Sequence, residues 1–219
     1  MPRLNWIFFL LFGIIGTVFL LFPELDLHIS ALFFDKHFDK NYLPYQIIYE
    51  SVRVVTVVSA ILLLALLTLT FFGKVYQGLT RKNLLFLLFA LILGPGLVVN
   101  VIFKDHWGRA RPAQIKEFGG NAAHNPPLFI SKECNRNCSF VCGHASVGFV
   151  FVALGFLYRR REKEIFLASL FAGSLIGFGR IAQGGHFLSD VIFSFFFTYL
   201  SVRILYYLMY RKEDPSFKL

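Results

Sequence analysis

Charge is what this sequence has least of. Of its 219 residues only 16% are Asp, Glu, Lys or Arg, where a soluble globular domain carries roughly a quarter. Hydrophobic residues make up 56%, aromatics 18%, and the mean hydropathy is +0.62. These proportions exclude an ordinary soluble domain and point to a protein embedded in a membrane. No Pro- or Ser-rich linker and no internal repeat separates the apolar runs, which argues for one domain over residues 1–219. No small-residue cleavage pattern follows the first run, where Phe22-Pro23-Glu24 stands, so that run reads as a retained helix and not a signal peptide. Acidic residues are outnumbered, 13 against 22 Lys and Arg. The resulting charge of +9 could suit nucleic acid, but the basic residues sit in short loops between apolar runs, where they orient membrane spans. Membrane lipids are therefore the expected surroundings, and nucleic acid is not an expected partner.

Six helical spans are expected, over about residues 4–22, 47–72, 84–103, 144–158, 165–181 and 186–209, giving an all-α polytopic membrane fold. Residues 23–45 mix Leu and Phe with Asp26, His28, Asp35, Lys36, His37, Asp39 and Lys40, and read as an interfacial amphipathic segment followed by a turn. Glu50 and Arg53, three apart, can pair on one helix face. Gly94-Pro95-Gly96 should kink the third span, because proline removes a backbone donor. Arg3, the turn with Lys74, Arg81 and Lys82, the turn with Arg159, Arg160, Arg161 and Lys163, and the tail with Arg211, Lys212 and Lys218 all fall on one side. An excess of Lys and Arg marks the cytoplasmic side, so both termini are expected there. Three polar clusters then share the outer face: Lys104-Asp105-His106-Trp107-Gly108-Arg109-Ala110-Arg111-Pro112, Phe140-Val141-Cys142-Gly143-His144, and the stretch from Arg180 to Asp190.

These clusters carry the chemistry of phosphoryl transfer. His186 and Asp190 are four apart at the start of the sixth span, so their side chains share a face, and the carboxylate can hold one ring nitrogen. That fixes the tautomer and leaves the other nitrogen free to attack an electrophile. His144 stands at a helix start, where first-turn backbone donors attract an anion and its ring can protonate a leaving oxygen. Lys104, Arg111 and Arg180 supply the positive charge that three equatorial phosphoryl oxygens need. Taken singly, each cation could instead be a residue reaching for the interface, although Arg180 follows a long apolar run, where an ionisable group requires partners. The same cations could hold an anionic substrate in a transporter or binding protein. That class favours paired broken helices, and only the third span carries a break.

Lys104, Arg111 and Pro112 form Lys, six residues, Arg-Pro; Gly143 and His144 form Gly-His; Arg180, His186 and Asp190 form Arg, five residues, His, three residues, Asp. In order and spacing these resemble the signature of the type 2 phosphatidic acid phosphatase (PAP2) superfamily, over residues 104–190. The resemblance implies a six-helix lipid phosphatase that uses no metal or other cofactor. In it His186 forms a phosphohistidine, His144 is the acid, and Lys104, Arg111 and Arg180 bind phosphate, at a site facing the periplasm from a bacterial inner membrane. Phosphotransfer to another lipid would use the same residues. Where the family usually has Pro-Ser before Gly-His, Val141-Cys142 stand, and Gly179 occupies a place that is often Ser; the backbone donors of Cys142 and Gly143 are expected to serve the phosphate in their stead. Trp107 to Pro112, Phe118-Gly119-Gly120 and Asn137-Cys138-Ser139-Phe140-Val141 are similar to bacterial lipid A 4'-phosphatases. That similarity implies lipid A as substrate, with lipopolysaccharide modification and resistance to antimicrobial peptides as consequences. Undecaprenyl-diphosphate, phosphatidylglycerol-phosphate and lipid A 1-phosphatases share the three core motifs. Arg109, Lys116, Lys132 and Arg136 offer further contacts for a large anionic head group, or form a solvated loop.

Cys134 and Cys138, on an oxidising outer face, can close a small disulfide loop, or bind zinc with His124 or His144. Cys142 could act as a low-pKa nucleophile at a helix N-terminus. The Cys, five residues, Arg loop of cysteine phosphatases is absent, since Gly148 and not Arg follows the five residues after Cys142. Trp107 is expected to lie in an interfacial belt.

Overall fold

The computed structural model describes residues 6–74 and 79–213. Leu4, which opens the first expected span, and Arg3 and Lys218, counted for orientation, lie outside the described residues. Within them the chain runs through α1 (Trp6–Leu21), α2 (Glu24–Ala31), the antiparallel two-residue strands β1 (Phe34–Asp35) and β2 (His37–Phe38), and α3 (Leu43–Phe71). It continues through α4 (Arg81–His106), α5 (Gly143–Leu157), α6 (Glu162–Ala182) and α7 (Leu188–Tyr210).

Local chemistry sets several of these boundaries. Pro44 occupies the first turn of α3, where a missing N–H costs nothing. The Thr80 side chain caps α4 by accepting from Asn83 N at 3.3 Å. The kink expected at Pro95 does not break the span. Ile92–Phe103 is π-helical, and the wider turn accommodates the ring and the lost donor without a separate helix. The Pro95 carbonyl takes a hydrogen bond of 2.6 Å from the Asn100 side chain.

Four segments are long and apolar enough to cross a membrane: α3, α4, Arg159–Ala182 and α7. α1 joins them only if taken with α2 as one span, across a bend of 81°. α5 is apolar but shorter. The structure thus supports a helical, multi-pass membrane protein with four to five such spans among the described residues, beside the six expected. α5 is the central helix, packed by α6, α7 and the π-helical half of α4. Its closest approach is to α6: a Cβ on Gly148 would lie 2.5 Å from Gly173 Cα, and one on Gly173 would lie 2.1 Å from the Phe149 ring. α1 leans Phe8 and Phe12 on the aromatic face of α7 formed by Phe193, Phe196 and Tyr199. α3 is the least enclosed, with Val52 its one buried residue.

The basic turns converge on one end of this bundle. Lys82 pairs with Glu213 at 2.5 Å, Tyr210 donates to Asn83 at 2.8 Å, and Arg159 reaches Glu162 and Tyr206. Lys104, Gly143, Arg180 and Leu188 stand at the opposite ends of the same helices. On the exposed flank of α3, Glu50 and Arg53 pair at 3.3 Å, as their spacing suggested.

Because Gly173 has no room for a methyl, Gly173→Ala should cost about 1–3 kcal/mol by overpacking and lower the unfolding midpoint in detergent. Gly13→Ala, at a position with open space around it, should leave that midpoint unchanged or slightly raised.

Candidate active site

At the end of the bundle away from the basic turns, α7 begins with an extended residue, Phe187, whose N–H is received by the Asp190 carboxylate at 2.8 Å. His186 therefore precedes the helix and does not lie on its first turn. That geometry changes the expected pairing with Asp190: His186 Nδ1 is 3.6 Å from Asp190 Oδ2, beyond hydrogen-bond length, and 2.7 Å from the carbonyl oxygen of Ser139. A carbonyl only accepts, so Nδ1 carries the proton and Nε2 keeps its lone pair. Nε2 is buried with no hydrogen-bond partner among the described residues. Burial, helped by the positive charges of Lys104 and Arg180 and opposed by Asp190, lowers the His186 pKa well below its ordinary value and keeps the imidazole neutral.

Asp190 is held from three sides: by Phe187 N, by the Ser139 hydroxyl, and by Arg109 Nη1 at 2.6 Å. Arg109 was expected in a solvated loop or against a head group; it is instead wholly buried. Its guanidinium lies over the Phe187 ring at 4.3 Å and donates to the Asn125 carbonyl at 2.8 Å, to the Ser189 hydroxyl at 2.8 Å and to Asp26 at 2.8 Å. Burial alone would discourage its charge, but Asp190 and Asp26 outweigh it and raise the pKa above the ordinary guanidinium value. Asp26, on α2, also accepts from the backbone N and hydroxyl of Ser189. The segment 23–45 is thus tied into the site by a fully buried carboxylate, and only in part resembles a wetted interfacial segment. The sequence did carry one signal, an acid among Leu25, Leu27 and Ile29, which needs a partner to be buried there.

Two further groups come together above α5. Lys104 Nζ donates to the Asn137 side chain at 3.2 Å, and Arg111 Nη2 donates to the Asn137 carbonyl at 2.8 Å. Asp105 in turn receives Asn137 N at 3.2 Å. Arg180 Nη1 donates to Gln183 Oε1 at 2.5 Å, and its Nε is buried without a hydrogen-bond partner among the described residues. A Cβ on Gly185 would lie 2.3 Å from Arg180 Nη2 and would displace that guanidinium; a Cβ on Gly143 would lie 2.4 Å from Asn100 Oδ1 and 3.3 Å from Lys104 Cε. Arg111, Arg180, Asn137, Gln183, Lys40 and Arg136 line a cleft of about 700 Å³, while Gly143, His144 and Asn100 line a neighbouring cavity of about 300 Å³. Tyr49 borders both. Of the loop cations offered for a head group, Arg136 lines the cleft, and Lys116 and Lys132 are outside its lining.

The cysteines resolve differently from one another. Cys134 and Cys138 form a disulfide, with Cα atoms 5.7 Å apart. This commits the two sulfurs that the zinc alternative needed, and among the described residues no group of three His, Cys, Asp or Glu could hold a metal ion. Cys142 is free and fully buried. Burial pushes its thiol pKa up, the opposite of what a thiolate nucleophile requires. Its backbone N–H, expected to face a phosphate, donates to the Asp190 carbonyl at 3.1 Å. Gly143, as the first residue of α5, has no acceptor within the helix for its own N–H. Trp107, expected in an interfacial belt, stacks on Phe140 at 5.0 Å and packs on Phe103.

Comparison with known proteins follows the same lines. The model of the PAP2 superfamily matches residues 83–214. A lipid A 4'-phosphatase of Francisella tularensis subsp. novicida (strain U112) is 39% identical over 202 residues, covering 90% of this chain and 91% of that protein. A lipid A 4'-phosphatase of Rhizobium leguminosarum is 35% identical over 121 residues, 55% of this chain and 52% of that protein. Another, from Rhizobium etli, is 37% identical over 120 residues, 54% of this chain and 47% of that protein. No solved structure matches.

Removing one partner from a buried ion pair strands the other, at a cost of about 3–5 kcal/mol. Arg109→Met should therefore destabilise the protein by that order, read as a lowered unfolding midpoint in detergent. Arg136→Met, at the open cleft, should change the midpoint by less than about 0.5 kcal/mol equivalent.

Proposed function

The chain belongs to the PAP2 superfamily, and we propose that it is a lipid phosphatase that removes the 4'-phosphate of lipid A by way of a phosphohistidine on His186. The observation that carries this reading is the His186 ring itself. Its Nδ1–H is spent on the Ser139 carbonyl, so a neutral imidazole presents a free Nε2 lone pair beside Lys104 and Arg180. The likeness to lipid A 4'-phosphatases of Francisella and Rhizobium supports lipid A as the substrate.

The phosphate monoester enters the cleft lined by Arg111 and Arg180, and these two with Lys104, tied to Arg111 through Asn137, neutralise its oxygens while the Gly143 N–H adds a donor at the start of α5. His186 Nε2 forms a bond to phosphorus as the bond to the sugar oxygen breaks, and His144 gives that oxygen its proton. The developing imidazolium is stabilised by the Asp190 charge at 3.6 Å, while Ser139 holds the ring in place. His144 then takes a proton from water, which attacks phosphorus, releases inorganic phosphate and restores His186. The three cations do the electrostatic work that metal ions do in many phosphoryl-transfer sites, and no step in this scheme calls for a metal or another cofactor. Cys142 has no part in it, given its buried thiol and engaged N–H.

The basic turns gather at one end of the bundle and the proposed site lies at the other. This arrangement supports cytoplasmic termini and a site opening to the periplasmic face of a bacterial inner membrane. Lipid A presents its phosphates at that face. Loss of one lowers the anionic charge of the surface and with it the attraction for cationic antimicrobial peptides.

His186→Ala should abolish turnover and, with it, the acid-labile label that wild-type protein acquires from radioactive substrate in rapid quench. His144→Ala should slow turnover by about 10²–10⁴-fold while a label still forms. Cys142→Ser should retain activity, and EDTA should not remove it. Mass spectra of lipid A from cells with and without the gene should differ by one phosphate, assigned to the 4'-position by fragmentation. A wild-type enzyme that never labels contradicts the covalent step. Loss from the 1-position, or unchanged lipid A with undecaprenyl diphosphate accumulating in the mutant, contradicts the substrate.

A further inference from the structure

His186 and His144 are held in unlike ways. A histidine that exchanges protons at one nitrogen is ordinarily oriented through a hydrogen bond at the other. His186 has such a bond, from Nδ1 to the Ser139 carbonyl. His144 does not: its Nδ1 is buried without a hydrogen-bond partner among the described residues. What lies against its ring is Tyr49 of α3, stacked at 4.5 Å between centroids with 27° between planes. The same Tyr49 ring carries the Arg180 guanidinium at 4.8 Å.

We propose that Tyr49 is a positioning residue of the reaction, which holds the imidazole of His144 for proton transfer to the leaving oxygen and seats Arg180 beside it. This rests on the reading of His144 as the acid. The ring surface substitutes for the absent hydrogen bond: it confines the imidazole plane by stacking and leaves Nε2 free to face substrate. The cation above the same ring gains from the quadrupole of Tyr49, so acid and phosphate ligand are registered on one aromatic platform. Tyr49 borders both the cleft that contains Arg111 and Arg180 and the cavity that contains Gly143 and His144. It therefore stands where the phosphate and the alcohol it leaves must separate. α3 also lines the cleft with Gln46 and Glu50 and the cavity with Val52, Arg53 and Thr56, and its Ile48 fills the space beside Gly179; of these residues Tyr49 alone borders both. Tyr49 also lies outside residues 83–214, the part matched to the superfamily, so α3 contributes to the site independently of the three motifs.

The test separates positioning of an acid from general damage, because an acid matters only where the leaving group is poor. Two amphiphilic phosphate monoesters with the same acyl tail are compared, one an alkyl ester and the other a nitrophenyl ester, in detergent with full-length protein. For Tyr49→Leu the ratio of kcat on the alkyl ester to kcat on the nitrophenyl ester should fall by about tenfold or more. Tyr49→Phe, which keeps the ring and loses the hydroxyl, should recover the wild-type ratio. His144→Ala should show the largest fall in the ratio. An equal loss on both esters in Tyr49→Leu, an unchanged ratio, or a Tyr49→Phe ratio as low as that of Tyr49→Leu each overturns the proposal. Wild-type protein that hydrolyses neither ester nor lipid A overturns the phosphatase reading and this inference with it. Wild-type activity with a His144→Ala ratio like that of wild type removes the acid role on which the inference stands.

Discussion

One buried arginine holds the site end of this protein together. Arg109 has no exposure to solvent, yet it carries a charge between two carboxylates from distant parts of the chain, Asp26 on α2 and Asp190 on α7. An isolated charge could not remain there, because removal from water costs several kcal/mol. It persists because its donors are matched to Asp26, Asp190, Ser189 and the Asn125 carbonyl, and its face to Phe187. The consequence reaches His186. Asp190, with its orientation fixed by Arg109, receives the Ser139 hydroxyl, and the Ser139 carbonyl receives His186 Nδ1. The tautomer of the proposed nucleophile is thus set through a relay that begins in a helix near the N-terminus.

The remaining elements provide a wall on each side of that relay. The π-helical half of α4 delivers Lys104 and lets Asn100 approach Gly143, where a Cβ would push the Asn100 side chain aside. The disulfide-closed turn presents Asn137, which ties Lys104 and Arg111 to one residue through its side chain and its carbonyl. The αL glycine at Gly184 ends α6 under Phe38 of the hairpin, which would collide with any Cβ there. Positive charges packed this closely repel one another, so an anion that entered the cleft would relieve the repulsion as well as gain direct contacts.

The motif residues were legible because their signal is local. Lys104 and Arg111, Gly143 and His144, and Arg180, His186 and Asp190 show in spacing alone, and the Cys134–Cys138 loop is short enough to read from four residues of separation. The basic turns were legible for the same reason, since each sits beside an apolar run. Arg109 was misjudged although it lies two residues from Arg111. Nothing local distinguishes a guanidinium that faces a head group from one that meets Asp26, 83 residues away. The His186–Asp190 pair was half legible. Its spacing implied proximity, and the extended Phe187 that turned the ring toward Ser139 was not visible in that spacing.

Composition and pattern by themselves determined that the chain is helical and membrane-embedded, where its basic turns lie, and which residue types gather for phosphate chemistry. Hydrophobic burial in a bilayer leaves few alternatives to helices of this length, and a phosphoryl group demands cations whatever the fold. Tertiary structure alone decided which donor serves which acceptor: Ser139 and not Asp190 on His186 Nδ1, Asp190 and not a phosphate on the Cys142 N–H, Tyr49 on His144. Hydrogen bonds and ring contacts act over a few ångströms, so their partners depend on how helices far apart in sequence come to rest against one another.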